Sequence, residues 1–299
     1  MSMVQYSVWP NCSNNCKFCL RTDRIPISIE AQFKKLEKIQ ENLKYVDWKN
    51  KFKHGISLLG GELYYITDAS LQNKFFELID DIIEIVLKPN KLAKYSTVTN
   101  GLYNPEFLYK VIDKIVNATG IERIDLNFSY DLKYRFSSSK ASSLVLNNIN
   151  EFHKKYNYNV GVQMILTQYL IDLIKNDDFN ITNFETNIIP GNTLCLLYPH
   201  PIHTGLKLDD FNFKRKDFLN FCINLKTTNP QTLENFIAST INSSKFKYSG
   251  LLMPNENTTQ TPELSIDKTN KNIKCGHSKL YQCYSDCDNC MLCDILNFY

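Results

Sequence analysis

The chain has 299 residues, of which 43% are hydrophobic and 22% are charged. These proportions are close to those of globular proteins and exclude a disordered or collagen-like chain. The net charge of +3 neither demands nor excludes a nucleic-acid or membrane partner. No apolar stretch reaches the roughly 18 residues of a membrane span, and the first residues lack the pattern of a signal peptide. We therefore expect a cytoplasmic protein without a membrane segment.

The first two thirds of the chain alternate short apolar runs with amphipathic segments. Ser28 and Asp68 are predicted to cap helices, because apolar residues recur at spacings of three and four after each of them. Asn104-Pro105 is a further helix start signal, and Gly120 is a plausible end of that helix. Other helices are predicted near residues 139–154, 213–225 and 232–241. The predicted strands lie at residues 4–8, 55–59, 95–99, 124–129, 160–167 and 193–198, the last being favoured over 184–189.

The order of these elements, strand then helix repeated about six times, predicts an α/β fold. Parallel strands need crossover connections, and here the helices supply them. In such folds the reactive groups lie at the carboxyl ends of the strands. The motifs that follow the strands are therefore the candidates for function. After about residue 205 the pattern changes to helices, a polar loop and a cysteine-rich end.

The ten cysteines are unevenly distributed. Three lie at positions 12, 16 and 19, and five lie between positions 275 and 293, whereas Cys195 and Cys222 stand alone and are interpreted as small core residues. A cytoplasmic chain does not build a disulfide framework of this kind. Clustered thiols instead indicate metal ligands.

Cys12, Cys16 and Cys19 follow the first strand with the spacing C-x3-C-x2-C. Three thiolates in one loop can hold three irons of a four-iron cluster and leave the fourth iron without a protein ligand. Structural zinc would need a fourth ligand nearby, and no further cysteine or histidine occurs before His54. The loop therefore favours a [4Fe-4S] cluster with an open iron.

This motif, with Phe18 just before its last cysteine, resembles that of the radical S-adenosylmethionine (AdoMet) enzymes. The resemblance implies that the open iron binds the amino and carboxylate groups of AdoMet. Gly60-Gly61-Glu62, after the second strand, is similar to the GGE motif of that family, which contacts the AdoMet amino group. Glycine permits close backbone approach to a ligand, and Glu62 supplies a carboxylate for the ammonium.

Further resemblances follow the third, fourth and fifth strands. Thr99-Asn100, followed by glycine, resembles the family's TNG segment, and Ser129 is similar to a serine that reaches AdoMet. The alternatives are an Asn-Gly turn and a plain cap. The fifth strand departs from the family's G-x-I-x-G pattern, which leaves Gln163 or Thr167 as the candidate contact to the ribose.

The carboxyl-terminal cluster consists of five cysteines and resembles a compact form of the SPASM/Twitch extensions, which hold auxiliary four-iron clusters. Its spacing departs from theirs, because the first gap is short and the long insertions are absent. Structural zinc is the alternative, since the C-x2-C steps suit it equally. We favour a second [4Fe-4S] cluster over zinc, with ligands drawn from Cys275, Cys283, Cys287, Cys290 and Cys293.

Together these resemblances imply a partial (β/α)6 TIM-like barrel over residues 1–205 and a small metal-cluster-binding extension over 206–299. The implied activity is reductive cleavage of AdoMet to a 5′-deoxyadenosyl radical that abstracts hydrogen from a substrate. A donor such as flavodoxin or ferredoxin would supply the electron. By analogy with extended members the substrate is a peptide or protein side chain, and a nucleotide or nucleic-acid base is the alternative.

A second hypothesis is a non-catalytic, cysteine-rich metal-binding scaffold. The segment Gly60-Gly61-Glu62 speaks against it, because a scaffold has no need of a carboxylate and close-approach glycines beside the cysteine loop. The sequence assigns no catalytic residue.

Overall fold

Six parallel strands, hydrogen-bonded in the order of the sequence, form the central sheet. The structure, a computed structural model, describes residues 3–12, 14, 16, 19, 25–133, 135–136, 138–197 and 213–245. In this part of the chain β1 and β6 are not paired with each other, so the sheet is a partial barrel. The strands are β1 (Val4–Ser7), β2 (Gly55–Leu59), β3 (Lys94–Thr99), β4 (Ile124–Tyr130), β5 (Gly161–Ile165) and β6 (Thr193–Leu197).

Helices connect successive strands, as the alternating pattern predicts. A π-helical turn at Ile83–Leu87 extends the second helix, and another at Phe184–Ile188 follows the short sixth helix. The helices are α1 (Ile29–Leu43), α2 (Ala69–Ile82), α3 (Glu106–Thr119), α4 (Ser139–Tyr156), α5 (Gln168–Lys175), α6 (Ile181–Asn183), α7 (Arg215–Thr228) and α8 (Pro230–Lys245). None of the helices in the described ranges is long and apolar enough to cross a membrane.

The two faces of the sheet differ in chemistry because side chains alternate along each strand. One set is mostly apolar and buried, for example Ile56, Leu126 and Met164. The opposite face, here called the inner face, is largely polar. Its polar members include Gln5, Ser7, Ser57, Ser96, Asp125, Asn127, Ser129, Gln163 and Cys195.

The predicted helix starts at Ser28 and Asp68 are confirmed. The Ser28 hydroxyl accepts a hydrogen bond from the Ala31 N–H at 3.2 Å, and the Asp68 carboxylate accepts one from Leu71 N–H at 2.8 Å. Helix α3 begins one residue later than Pro105, with the Asn104 side chain accepting from Glu106 N–H at 3.0 Å. These caps satisfy N–H groups that the first turn leaves without partners.

Two differences from the predicted elements have local causes. The fifth strand ends at Ile165 because Thr167 is the N-cap of α5, where its hydroxyl accepts a hydrogen bond from Leu170 N–H at 3.1 Å. This helix was not predicted. The sixth strand lies at 193–197, as favoured, and the alternative segment forms the second π-helical turn.

The last two helices pack against the end of the sheet. Helix α7 contacts α5, and α8 contacts both α7 and strand β6. Phe218 and Phe236 are fully buried in these contacts. The Gln168 side chain accepts a hydrogen bond from Lys214 N–H at 2.9 Å and so fixes the start of α7. The cysteine-rich segment predicted as a metal site lies outside the described residues.

One buried cation holds the start of β4 to the loop before β3. The Arg123 guanidinium donates hydrogen bonds to the carbonyl oxygens of Leu87 at 2.7 Å, Asn90 at 2.5 Å and Ala93 at 2.7 Å. The side chain is only 8% exposed, so these carbonyls have little access to water.

We predict that Arg123→Met lowers the free energy of unfolding by about 2 to 4 kcal/mol, because the carbonyls of Leu87, Asn90 and Ala93 lose the donors that the buried guanidinium supplies. Urea denaturation measures this change. Lys110→Met is the matched control, because that lysine forms an exposed ion pair with Glu106 and its loss costs at most about 1 kcal/mol. Equal destabilisation by both substitutions would contradict this role of Arg123.

Candidate active site at the carboxyl ends of the strands

The loops that follow β1 and β2 interlock through their backbones. Gly61 N–H donates to the Trp9 carbonyl and Glu62 N–H donates to the Asn11 carbonyl, both at 2.8 Å. A Cβ atom on Gly61 would lie 2.2 Å from the Asn11 oxygen, and one on Gly60 would lie 2.4 Å from the Leu63 side chain. The sequence assigned these glycines to the approach of a ligand. In the structure Gly61 permits the close approach of the neighbouring loop, and Gly60 that of the Leu63 side chain.

The Glu62 carboxylate joins the loops after β2 and β3. It accepts hydrogen bonds from Asn100 N–H at 2.6 Å, from the Thr99 hydroxyl at 3.0 Å and from Tyr64 N–H at 3.3 Å. The side chain is 2% exposed. Thr99 and Asn100, which the sequence placed in the site, therefore meet Glu62 directly.

Burial dominates the electrostatics of this carboxylate. Desolvation raises the pKa of Glu62 to about 7, although the N–H donors of Asn100 and Tyr64, the Thr99 hydroxyl and the Arg135 cation act in the opposite direction. The neighbouring Tyr103 hydroxyl is hydrogen-bonded to Thr99, and burial together with Glu62 raises the pKa of this phenol. A cationic ligand group at Glu62 would favour its ionised form.

The cysteine loop is closed at its base and carries hydrogen-bond donors at its sulfurs. The Asn11 side chain donates to the Ile27 carbonyl and accepts from the Ile27 N–H, each at 3.1 Å. Within the loop, Asn14 N–H donates to Cys12 Sγ at 3.4 Å, and the Asn14 side-chain amide donates to Cys16 Sγ at 3.2 Å. The Asn100 side-chain amide also reaches Cys12 Sγ, at 3.6 Å.

The loop gathers groups that become negatively charged. Cys16 is buried, Cys19 is half-buried and Cys12 is exposed. Partial burial of its sulfur, together with the nearby Glu62 carboxylate and Cys19 thiol, raises the pKa of Cys12, while hydrogen bonds from Asn14 and Asn100 lower it. In the described residues no three Cys, His, Asp or Glu side chains already converge as a metal-ligand set. The donor chemistry nevertheless suits iron, because a bound cation would relieve the repulsion between these thiolates and the carboxylate.

The loop after β4 lies against the cysteine loop, a contact that sequence reasoning missed. The Asp131 carboxylate accepts from Lys133 N–H at 2.8 Å and from Arg135 N–H at 3.2 Å, which folds the loop back. The Asn14 side chain then donates to the Arg135 carbonyl at 3.0 Å. An amide side chain between two cysteines was the available signal for Asn14. Nothing in the local sequence indicated the position of Arg135.

Ser129 and Gln163 lie on the inner face rather than around Glu62. They are register partners in β4 and β5, and Cys195 of β6 is the register partner of Gln163. Each of the three residues is partly exposed. Cys195 is therefore a member of the polar face and not a buried core residue, whereas Cys222 is fully buried as predicted. Thr167 is engaged as a helix cap, and Phe18 lies outside the described residues.

Comparison with known proteins shows the fold. No protein-family model and no curated protein matches the sequence. A structure of native anSMEcpe with bound AdoMet and Cp18Cys peptide is similar at 16% identity and a TM-score of 0.50, covering 80% of this chain and 62% of that one. Native anSMEcpe with bound AdoMet is similar at 15% identity and a TM-score of 0.50, covering 80% and 63%. The chain thus spans less than two thirds of the proteins whose fold it shares.

We predict that Glu62 makes stability depend on pH. Because its folded pKa of about 7 exceeds its ordinary value of 4.5, the folded chain retains this proton where the unfolded chain loses it. The stability that Glu62 contributes is fully present below pH 4.5 and falls by about 3 kcal/mol as the pH rises to 7. Glu62→Gln should remove this dependence.

Urea denaturation of the iron-free chain between pH 4.5 and 7.5 gives the difference in free energy of unfolding between wild type and variant. We expect the variant to become more stable relative to the wild type as the pH rises through this window. A constant difference would show that Glu62 titrates near its ordinary pKa. Glu106→Gln is the control, because that carboxylate is exposed.

Proposed function

We propose that the chain is a radical AdoMet enzyme. The observation that carries this proposal is the meeting of three sequence motifs at one end of the sheet. Three different strands lead to the loop of Cys12, the Gly60-Gly61-Glu62 turn and the Thr99-Asn100 segment. Glu62 binds the backbone of the first loop and of Asn100, and the Asn100 side-chain amide reaches Cys12 Sγ. A metal-binding scaffold gives no reason for a buried carboxylate and an amide donor beside the thiols.

The shared fold supports the proposal. The structures of anSMEcpe that this chain resembles contain AdoMet, and the first also contains a peptide. The same parallel sheet is present here, with the cysteine loop at the carboxyl end of β1. Ligands of open parallel sheets bind outside the carboxyl ends of the strands.

Cys12, Cys16 and Cys19 would hold a [4Fe-4S] cluster, and AdoMet would bind beside it. When bound, the cluster and a donor such as flavodoxin or ferredoxin supply one electron for reductive cleavage of AdoMet to a 5′-deoxyadenosyl radical. A reducing cytoplasm is the compartment that suits these thiols.

The chain's own residues bind and orient the reactants. Glu62 would take the ammonium of AdoMet as a further donor, beside the N–H groups of Asn100 and Tyr64 and the Thr99 hydroxyl. Arg135 places a cation near Glu62, where it favours the charged form of that carboxylate. The interlocked loops bury the Glu62 carboxylate, and this burial strengthens its electrostatic contacts.

The inner face supports a polar substrate. Ser129 and Gln163 would face the substrate or the ribose, and their side chains can donate and accept hydrogen bonds. We propose a peptide or protein side chain as the substrate, in keeping with the peptide bound by anSMEcpe. Modification of a nucleotide or nucleic-acid base is the competing outcome of a substrate screen.

We predict that Cys16→Ala abolishes AdoMet cleavage and leaves the chain folded, because one lost thiolate prevents cluster assembly while the apolar core lies elsewhere. Anaerobic reconstitution followed by dithionite and AdoMet gives the measurement, as iron content and 5′-deoxyadenosine formed. Cys222→Ala is the matched control, because it removes another buried cysteine, from α7, and should retain both. Normal 5′-deoxyadenosine from the Cys16 variant would refute the proposal.

We also propose a second metal centre in the carboxyl-terminal cysteine cluster. Cys275 and Cys283 would close a hairpin, and two of Cys287, Cys290 and Cys293 would complete the ligands. This segment has few large apolar residues, so a metal would supply its folding energy.

We predict that replacing Cys275 and Cys283 together by Ala in the full chain removes this centre and preserves the first. Loss of about four irons per chain would identify a [4Fe-4S] cluster, and loss of about one zinc would identify a structural zinc site. Iron and zinc analysis of the whole protein measures the outcome. Unchanged iron and zinc contents would contradict a second centre.

A further inference from the structure

Asn14 occupies a position in the cysteine loop from which it contacts two of the three thiols. Its backbone N–H donates to Cys12 Sγ at 3.4 Å and its side-chain amide donates to Cys16 Sγ at 3.2 Å. The same amide donates to the Arg135 carbonyl at 3.0 Å, which fixes its orientation. Asn100 supplies a further amide donor to Cys12 Sγ from the loop after β3.

The physical effect of such donors on an iron–sulfur cluster is known in direction. Reduction adds negative charge, and part of that charge lies on the cysteine sulfurs. An N–H dipole directed at a sulfur therefore stabilises the reduced cluster more than the oxidised one. Hydrogen bonds to the sulfurs are among the factors that set the reduction potentials of these clusters.

We propose that Asn14 is a positioning residue that raises the reduction potential of the cluster on Cys12, Cys16 and Cys19. This inference rests on the proposed function for the presence of the cluster. Asn14 acts through the ligand sulfurs and does not contact the reacting atoms. Asn100 contributes in the same direction from the other side of Cys12.

Asn11, and not Asn14, closes the cysteine loop. Asn11 pairs with both backbone groups of Ile27 and so joins the two ends of the loop. Its side chain is thus engaged at the base of the loop, while Asn14 is engaged at the sulfurs. Substitution of each residue therefore separates loosening of the loop from loss of a sulfur donor.

The experiment is a redox titration of the reconstituted full chain without AdoMet, followed by electron paramagnetic resonance and normalised to iron content. Asn14→Leu keeps the size of the side chain and removes its N–H donor. We expect the ratio of reduced to oxidised cluster at a fixed potential to fall threefold to tenfold. For a one-electron couple this is a decrease of about 28 to 59 mV. Electron paramagnetic resonance spectra of the reduced cluster, compared between H2O and D2O, should show one coupling to an exchangeable proton fewer in the same variant.

Asn11→Leu is the control and should leave the ratio in loaded protein within twofold of wild type. A shift of equal size in this control would overturn the proposal, because loosening of the loop would then explain both. An Asn14→Leu ratio within twofold of wild type would also overturn it. If that variant takes up no cluster, Asn14→Ala decides, because it also removes the side-chain donor to Cys16 Sγ and occupies less space; a ratio within twofold of wild type there overturns the proposal.

Different results would contradict the proposed function and the role of Asn14. A wild-type chain that assembles no iron–sulfur cluster, or that forms no 5′-deoxyadenosine, contradicts the function. A loaded, active wild type whose potential does not respond to Asn14→Leu contradicts only the role of Asn14.

Discussion

The arrangement of the site depends on the burial of one carboxylate. Glu62 uses its backbone N–H to bind the loop after β1 and its side chain to bind the backbone and hydroxyl groups that end β3. Its carbonyl accepts from the Trp9 indole, 3.4 Å away. Three strand ends are thus joined at a single residue that has almost no contact with water. The cysteine loop takes its position from the same contacts, because it begins at the Asn11 carbonyl to which Glu62 donates.

Such a buried carboxylate is costly even with the Arg135 cation near it. Burial raises its pKa towards neutrality, and the Cys12 thiol nearby has its pKa raised in part by the same carboxylate. Each negative charge in this region therefore makes the next one harder to form. Iron on the thiolates and an ammonium at Glu62 would each remove part of that cost, so the site gains most when both are bound.

Sequence reasoning found the elements whose signals are local. The caps at Ser28 and Asp68 and the left-handed Gly120 that ends α3 depend on neighbouring residues only, and all were predictable. Thr167 was placed at the end of the fifth strand, but in the structure its hydroxyl caps α5. The motifs predicted that Glu62, Thr99 and Asn100 would lie at one end of the sheet. They could not show that Arg135 reaches the cysteine loop, because that contact depends on a turn made by Asp131 and on the packing of two distant loops.

The inner face of the sheet shows why this barrel is not filled in the usual way. Closed α/β barrels pack their interior with layers of branched apolar side chains. Here Gln5, Ser57, Ser96 and Asp125 are successive register partners across four strands, and the Ser96 hydroxyl donates to Asp125 at 2.9 Å. Some of these polar groups bond to each other, and an apolar substrate would offer no hydrogen bond to those that face it. Burial of the apolar face against the helices supplies the stability that an interior core supplies elsewhere. The inner face can therefore present polar groups near the loop that carries the thiols. Such a face favours a substrate with many hydrogen-bonding groups, such as a peptide.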